Sequence, residues 1–153
     1  MTTLRETIHT PLSTEAAFAY VADFASSEEW DPGVATAERV GDGPIRVGTR
    51  YRLGVRIGDR VAPMEYRITE LDPPNRVVLV GSGSGVAAVD TIEFVRTPPG
   101  TTVNYTADIR LEGIRRLVQP FLRKTFAKIA SNASAGMQRE LDARAARETR
   151  AAS

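Results

Sequence analysis

The chain has 153 residues, a length that fits one domain able to bury a sizeable core. Its 42% hydrophobic and 25% charged residues sit near globular averages, and 20 basic against 19 acidic side chains leave a net charge of +1. That balance excludes the domain-wide basic excess of a nucleic-acid binder, and the lack of cysteine excludes disulfides and thiolate chemistry. The N-terminal residues lack the apolar run of a signal peptide, and no stretch approaches the roughly 18 apolar residues of a membrane span, so a cytoplasmic protein without stable membrane insertion is expected.

Residues 3–10 read as a strand stopped by Pro11, with Leu4, Glu6 and Ile8 on one face. Ser13 or Thr14 then caps a helix carrying Phe18, Tyr20 and Val21 and ending at Asp23. A second short helix over 25–30 stops at Asp31-Pro32-Gly33. Strands follow at 34–40, 49–57, 62–71, 76–80, 86–96 and 101–111, separated by turns rich in glycine, proline and aspartate. Their alternation is clean: Tyr51, Leu53, Val55 and Ile57 alternate with Arg50, Arg52, Gly54 and Arg56, and Met64, Tyr66 and Ile68 oppose Glu65, Arg67 and Thr69. Six strands at about ten-residue spacing imply an antiparallel meander.

After Gly113 the period becomes helical. Ile114, Val118, Phe121, Phe126, Ile129, Met137 and Leu141 form a stripe opposed by arginines and lysines. Pro120 does not suit a helix interior, so a short turn at 114–118 and a main helix from Gln119 or Pro120 are expected. Beyond Leu141 the pattern dissolves. The domain is therefore expected to span 1–142, with 143–153 a frayed helix end or disordered tail. The predicted class is α+β: a curved sheet of seven strands, two short helices after the first strand and one long C-terminal helix. A sheet that size must curl to bury its inner face on a single helix, which leaves space between them.

Several motifs resemble one family. They are Thr10-Pro11 leading into Ala17–Phe24, Glu29-Trp30-Asp31-Pro32-Gly33-Val34, Val47-Gly48-Thr49-Arg50-Tyr51, Leu71-Asp72-Pro73-Pro74-Asn75-Arg76, and Gly100-Thr101-Thr102-Val103. Over about residues 3–141 they look like the START-like, or SRPBCC, superfamily in its polyketide cyclase/dehydrase-like branch. The resemblance implies a helix-grip (START/Bet v 1-like) fold. It does not select among the binders, lipid carriers and cyclases that this family hosts.

The inward strand faces supply the candidate site. Tyr51, Tyr66 and Tyr105 are either polar handles inside an apolar pocket or phenols near strand ends with hydroxyls in water. Leu53, Met64 and Ile92 from the sheet, with Phe121, Phe126, Ile129 and Met137 from the helix, complete the expected lining. Trp30 is read first as an anchor of its short helix, with the cavity mouth as the alternative. Asp90 shares a face with Ala88, Ile92 and Phe94 if its strand is regular, but the Gly81–Gly85 run can slip the register, and aspartate is usually exposed. Glu6 carries the same ambiguity. Asp23 is read as a cap or turn residue, and the lone His9 as a surface residue.

These residues point first to a protein that binds a small hydrophobic or amphipathic molecule, aromatic, polyketide or lipid-like. The alternative is a cyclase or dehydratase in which Asp90 with Tyr66 or Tyr105 moves protons. A further alternative is a protein-interaction or toxin-like regulator with a collapsed pocket. A single histidine and no cysteine leave no zinc ligand set, so neither metal nor cofactor is expected, and both a monomer and a homodimer are compatible with the chain.

Overall fold

The computed structural model describes residues 1–152. Strand β1 (Thr2–Thr10) leads through helix α1 (Thr14–Val21), a 3-10 turn at Phe24–Ser26 and helix α2 (Ser27–Trp30) into six further strands. These are β2 (Val34–Val40), β3 (Arg50–Ile57), β4 (Arg60–Asp72), β5 (Arg76–Gly83), β6 (Val86–Thr97) and β7 (Gly100–Leu111). Two 3-10 turns, Gly113–Leu117 and Gln119–Leu122, precede helix α3 (Arg123–Ala151). The architecture is the expected helix-grip: one seven-stranded antiparallel sheet in the order β1-β7-β6-β5-β4-β3-β2.

Pairing of β1 with β7 makes β1 and β2 the two edges of the sheet. The segment from Pro11 to Gly33 therefore crosses the concave face from one edge to the other, laying Phe18, Phe24 and Trp30 on it. Ser13 caps α1, its Oγ accepting from the Ala16 N–H at 3.1 Å. In β4 a bulge between Ile68 and Glu70 shifts the alternation by one residue, so that Leu71 rather than Glu70 packs against the core after Met64, Tyr66 and Ile68.

Helix α3 starts later than expected. Pro120 sits inside a 3-10 turn, and the regular helix starts only at Arg123, because Leu122 leaves helical geometry between that turn and α3. Gln119 holds the turn down: its Oε1 accepts from the Leu111 N–H at 3.0 Å, and its Nε2 donates to the Ile109 carbonyl at 2.8 Å and Thr2 Oγ1 at 3.0 Å. At its far end the helix runs past residue 143. It continues to Ala151, with Leu141 and Ala145 buried and the Arg144 guanidinium 3.6 Å from the centre of the Tyr20 ring. No helix among the described residues is long and apolar enough to cross a membrane.

Where α3 meets α2 the backbones nearly touch. A Cβ placed on Gly136 would lie 1.8 Å from the Trp30 carbonyl oxygen, so glycine here is a requirement of close approach. In a free helix Gly136→Ala would gain about 1 kcal/mol from propensity. In this protein we expect it instead to lower unfolding free energy by about 1–3 kcal/mol in urea titrations, through overpacking. A stabilised variant would show that α2 and α3 do not pack this closely.

Candidate functional site

Between the concave sheet and α3 lies a cavity of about 240 Å³. Its walls are mainly apolar: Ile8 from β1, Leu53 and Val55 from β3, Met64 from β4, Ala107 and Ile109 from β7, and Phe126, Ile129, Ala133 and Met137 from α3. Phe24 and Trp30 close it from the crossing segment. Asp90, Tyr105, Tyr66 and Asp31 break this surface together, and Glu6, Arg56 and Ser134 are the other polar side chains of the lining.

Asp90 reaches the cavity because β6 pairs with both β5 and β7 without a register shift from Val86 onward. It is 6% exposed, which corrects the expectation that an aspartate here would face solvent. Glu6, inward on β1, also lines the cavity and is partly buried. Across the β6–β7 ladder Asp90 pairs with Ala107, which places Tyr105 on the diagonal, within reach of a long side chain. The Tyr105 hydroxyl donates a hydrogen bond to Asp90 Oδ2. Tyr66 comes from β4, two strands away, and its ring lies over Gly81 of β5, where a Cβ would be 2.5 Å from ring atoms. Gly81 is thus the slot that lets Tyr66 lean across the sheet. Asp31 ends α2, and its Oδ1 accepts the Gly33 N–H at 2.8 Å.

The electrostatics follow from burial among acids. Desolvation pushes the Asp90 carboxyl up to about 7; the bond from Tyr105 opposes this, and the Asp31 and Asp108 charges add to it. Asp31 is also raised, by desolvation first, with the Gly33 N–H opposing. Both phenols, Tyr66 and Tyr105, are raised by burial and then by the Asp90 charge. The site therefore holds a carboxyl that exchanges its proton near neutral pH beside a phenol that keeps its own.

Of the residues expected from sequence, the structure brings Trp30, Leu53, Met64, Tyr66, Asp90, Tyr105, Phe126, Ile129 and Met137 to the cavity wall. Trp30 does both things considered for it: it anchors α2, with Nε1 donating to Ser26 Oγ at 3.1 Å, and it walls the cavity edge-on to Tyr105. Three expected residues lie elsewhere. Tyr51 is fully buried against Phe24, beside Asp23 and Arg39. Ile92 is fully buried in the core and does not reach the cavity surface. Phe121 is 84% exposed, because the 3-10 turn carrying it rotates it off the α3 stripe. Asp31 and Phe24 were not singled out by the sequence, where Asp31 reads only as a helix stop. His9 stays on the surface, its Nδ1 3.0 Å from Thr102 Oγ1.

A family model described as polyketide cyclase / dehydrase and lipid transport matches residues 1–147. The chain belongs to this family. Solved structures agree with that placement in the START-like, polyketide cyclase-like group. TTHA0849 from Thermus thermophilus superposes with a TM-score of 0.76 at 17% identity, over 91% of this chain and 96% of that one. The Zhui aromatase/cyclase from a Streptomyces species gives 0.76 at 15% identity, over 98% and 96%. A START superfamily protein from Mycobacterium smegmatis gives 0.74 at 16%, over 91% and 96%. At such identities the likeness is one of fold. No curated protein matches the sequence.

Asp90 gives this member of the polyketide cyclase/dehydrase family a pH signature. Its carboxyl rises from an ordinary 3.8 to about 7 on folding, so the folded chain binds the extra proton between those values. Stability should then be highest at acid pH within the folding range, fall as pH rises from about 4 to about 7, and level off above. Chemical denaturation across that window should show this slope in the wild type and a much flatter one in Asp90→Asn. Equal slopes would mean that Asp90 is ionised in the fold.

Proposed function

We propose that this protein binds a compact, mostly apolar molecule in the cavity and orients it by a polar group set against Asp90, Tyr66 and Tyr105. The observation that carries this reading is the Asp90–Tyr105 hydrogen bond in the wall of a mostly apolar cavity. Burying a carboxyl is costly, and a fold that only needed a core would place a hydrophobic residue there. The size is right for a small ring system: a dry cavity of about 150 Å³ already takes up benzene, and this one measures about 240 Å³. Met64 and Met137 on opposite walls let the surface adapt to the ligand. An open cavity of this size removes the premise of a collapsed-pocket regulator.

Purified protein examined by native mass spectrometry should carry a co-purified small molecule, and calorimetry should detect binding of para-propylbenzyl alcohol. Ala107 lines the cavity, so Ala107→Phe fills it from the sheet side and should weaken that binding at least about tenfold while the chain remains folded. Unchanged affinity in the filled variant would place the ligand elsewhere.

A second reading is supported by the same pair. In a cyclase or dehydratase acting on a poly-carbonyl compound, the Asp90 carboxylate removes a proton next to a carbonyl, and the Tyr66 hydroxyl donates to the enolate oxygen. Protonated Asp90 then returns its proton to a departing hydroxyl, which leaves as water. The family description and the aromatase/cyclase relative favour testing it. On this reading Asp90→Asn abolishes turnover while substrate still binds, and the wild-type rate rises through a limb near pH 7. Turnover that survives in Asp90→Asn would end the reading in this form.

A further inference from the structure

Acids and phenols dominate the ionisable side chains of the cavity. Glu6, Asp31 and Asp90 line it against a single basic residue, Arg56, which is exposed and whose Nη1 reaches the Pro32 carbonyl at 3.5 Å. Asp90 is faced by Tyr105 from β7, by Asp31 from the end of α2 and by Tyr66 from β4, while Asp108, on the outer face of β7, adds its charge through the sheet. The α3 wall, built from Phe126, Ile129, Ala130, Ala133, Ser134 and Met137, brings no charge.

These groups have unused capacity for hydrogen bonding. Asp90 spends Oδ2 on Tyr105, and Asp31 spends Oδ1 on Gly33; the second oxygen of each accepts from no described residue. Tyr66 is 8% exposed, lines the cavity, and its hydroxyl makes no hydrogen bond among the described residues. The unmet demand is thus for donors and positive charge. An anionic head group would add a negative charge to a desolvated acid cluster that holds no buried cation. A ketone could meet only Tyr66 and the protonated form of Asp90. An ammonium carries three donors, enough for both free carboxyl oxygens and the Tyr66 oxygen, and its bonds to carboxylates are charge-assisted. Its desolvation is costly, but folding has already desolvated Asp90, so the pair recovers part of both penalties. No group of three or more acids, histidines or cysteines able to hold a metal ion occurs among the described residues, which argues against an inorganic cation as the occupant.

We propose that the ligand of this cavity is a compact, ring-bearing amine whose ammonium sits between Asp90 and Asp31 with the Tyr66 hydroxyl beside it. The inference rests on the binding reading given above and specifies its ligand class. The rings of Trp30 and Phe24 and the aliphatic wall of α3 take the hydrocarbon part.

The test compares three probes that share one hydrocarbon frame: para-propylbenzylamine, para-propylbenzyl alcohol and para-propylbenzoic acid. Binding to the full chain at neutral pH is read by calorimetry and by the fluorescence of Trp30, the sole tryptophan. The amine is expected to bind at least about tenfold more tightly than the alcohol, with the acid weakest. Asp90→Asn, which keeps the side chain's shape, should cut the amine's advantage over the alcohol from at least about tenfold to less than about threefold, whatever it does to the affinity of each. An acid that binds as tightly as the amine overturns the proposal, as does an amine preference that persists in Asp90→Asn. If the alcohol binds and the amine does not, the ligand class is wrong and the cavity reading stands. If none of the three binds, both fall together.

Discussion

Pairing of β1 with β7 sets the terms for the rest of this molecule. Once the first and last strands lie side by side, the chain between β1 and β2 has to travel across the whole concave face, because those two strands are the sheet's edges. The helix that follows β7 starts on the same side and packs along β1, while α2 braces its middle at Gly136. One helix and one crossing segment are therefore all that cover seven inward strand faces. Close packing fills most of this space with the cluster around Ile8, Phe18, Phe24, Ile68 and Leu79, and what remains becomes the cavity.

The polar end of that cavity depends on strand geometry at two points. Along β6 and β7 an unbroken antiparallel register puts Asp90 and Tyr105 on a diagonal, close enough to share a proton-mediated contact. Across β4 and β5, Gly81 removes the side chain that would hold Tyr66 upright, and the phenol tilts toward β6. Neither arrangement helps the fold. A carboxyl without a counter-charge in an apolar wall remains neutral over part of the pH range at a cost in stability, and a buried phenol without a partner adds another. Such costs are most readily understood when a ligand supplies the missing partners.

Family membership and these costs bear on different questions. The match to the polyketide cyclase/dehydrase and lipid transport family, together with superposition on START-like structures, settles the architecture. It leaves the chemistry to the side chains, since one fold of this kind serves several functions. Here the side chains are unusual in their sign. The cavity gathers carboxyls and phenols and admits only one arginine, at an exposed position, and the proposed amine ligand follows from that sign as well as from the cavity's shape.

The amino-acid sequence by itself determined the element order, the alternating faces and the inward placement of Leu53, Met64, Tyr66 and Tyr105. Those properties are local: the two-residue period of a strand and the turn residues that end it are written in neighbouring positions. It left Asp90 undecided, because a strand beside a glycine-rich turn has two possible registers and only pairing with β5 and β7 selects one. It misplaced Phe121, because Pro120 in a 3-10 turn breaks the helical phase that Phe126, Ile129 and Met137 keep. It grouped Tyr51 with Tyr66 and Tyr105, although strand alternation reports only which face a residue occupies. Tertiary structure decided how far along that face each phenol sits: Tyr51 beside Asp23 in the core, the other two in the cavity wall. It also brought Asp31, which reads locally as no more than a helix stop, to face Asp90, since the crossing segment between two distant sheet edges alone carries it there.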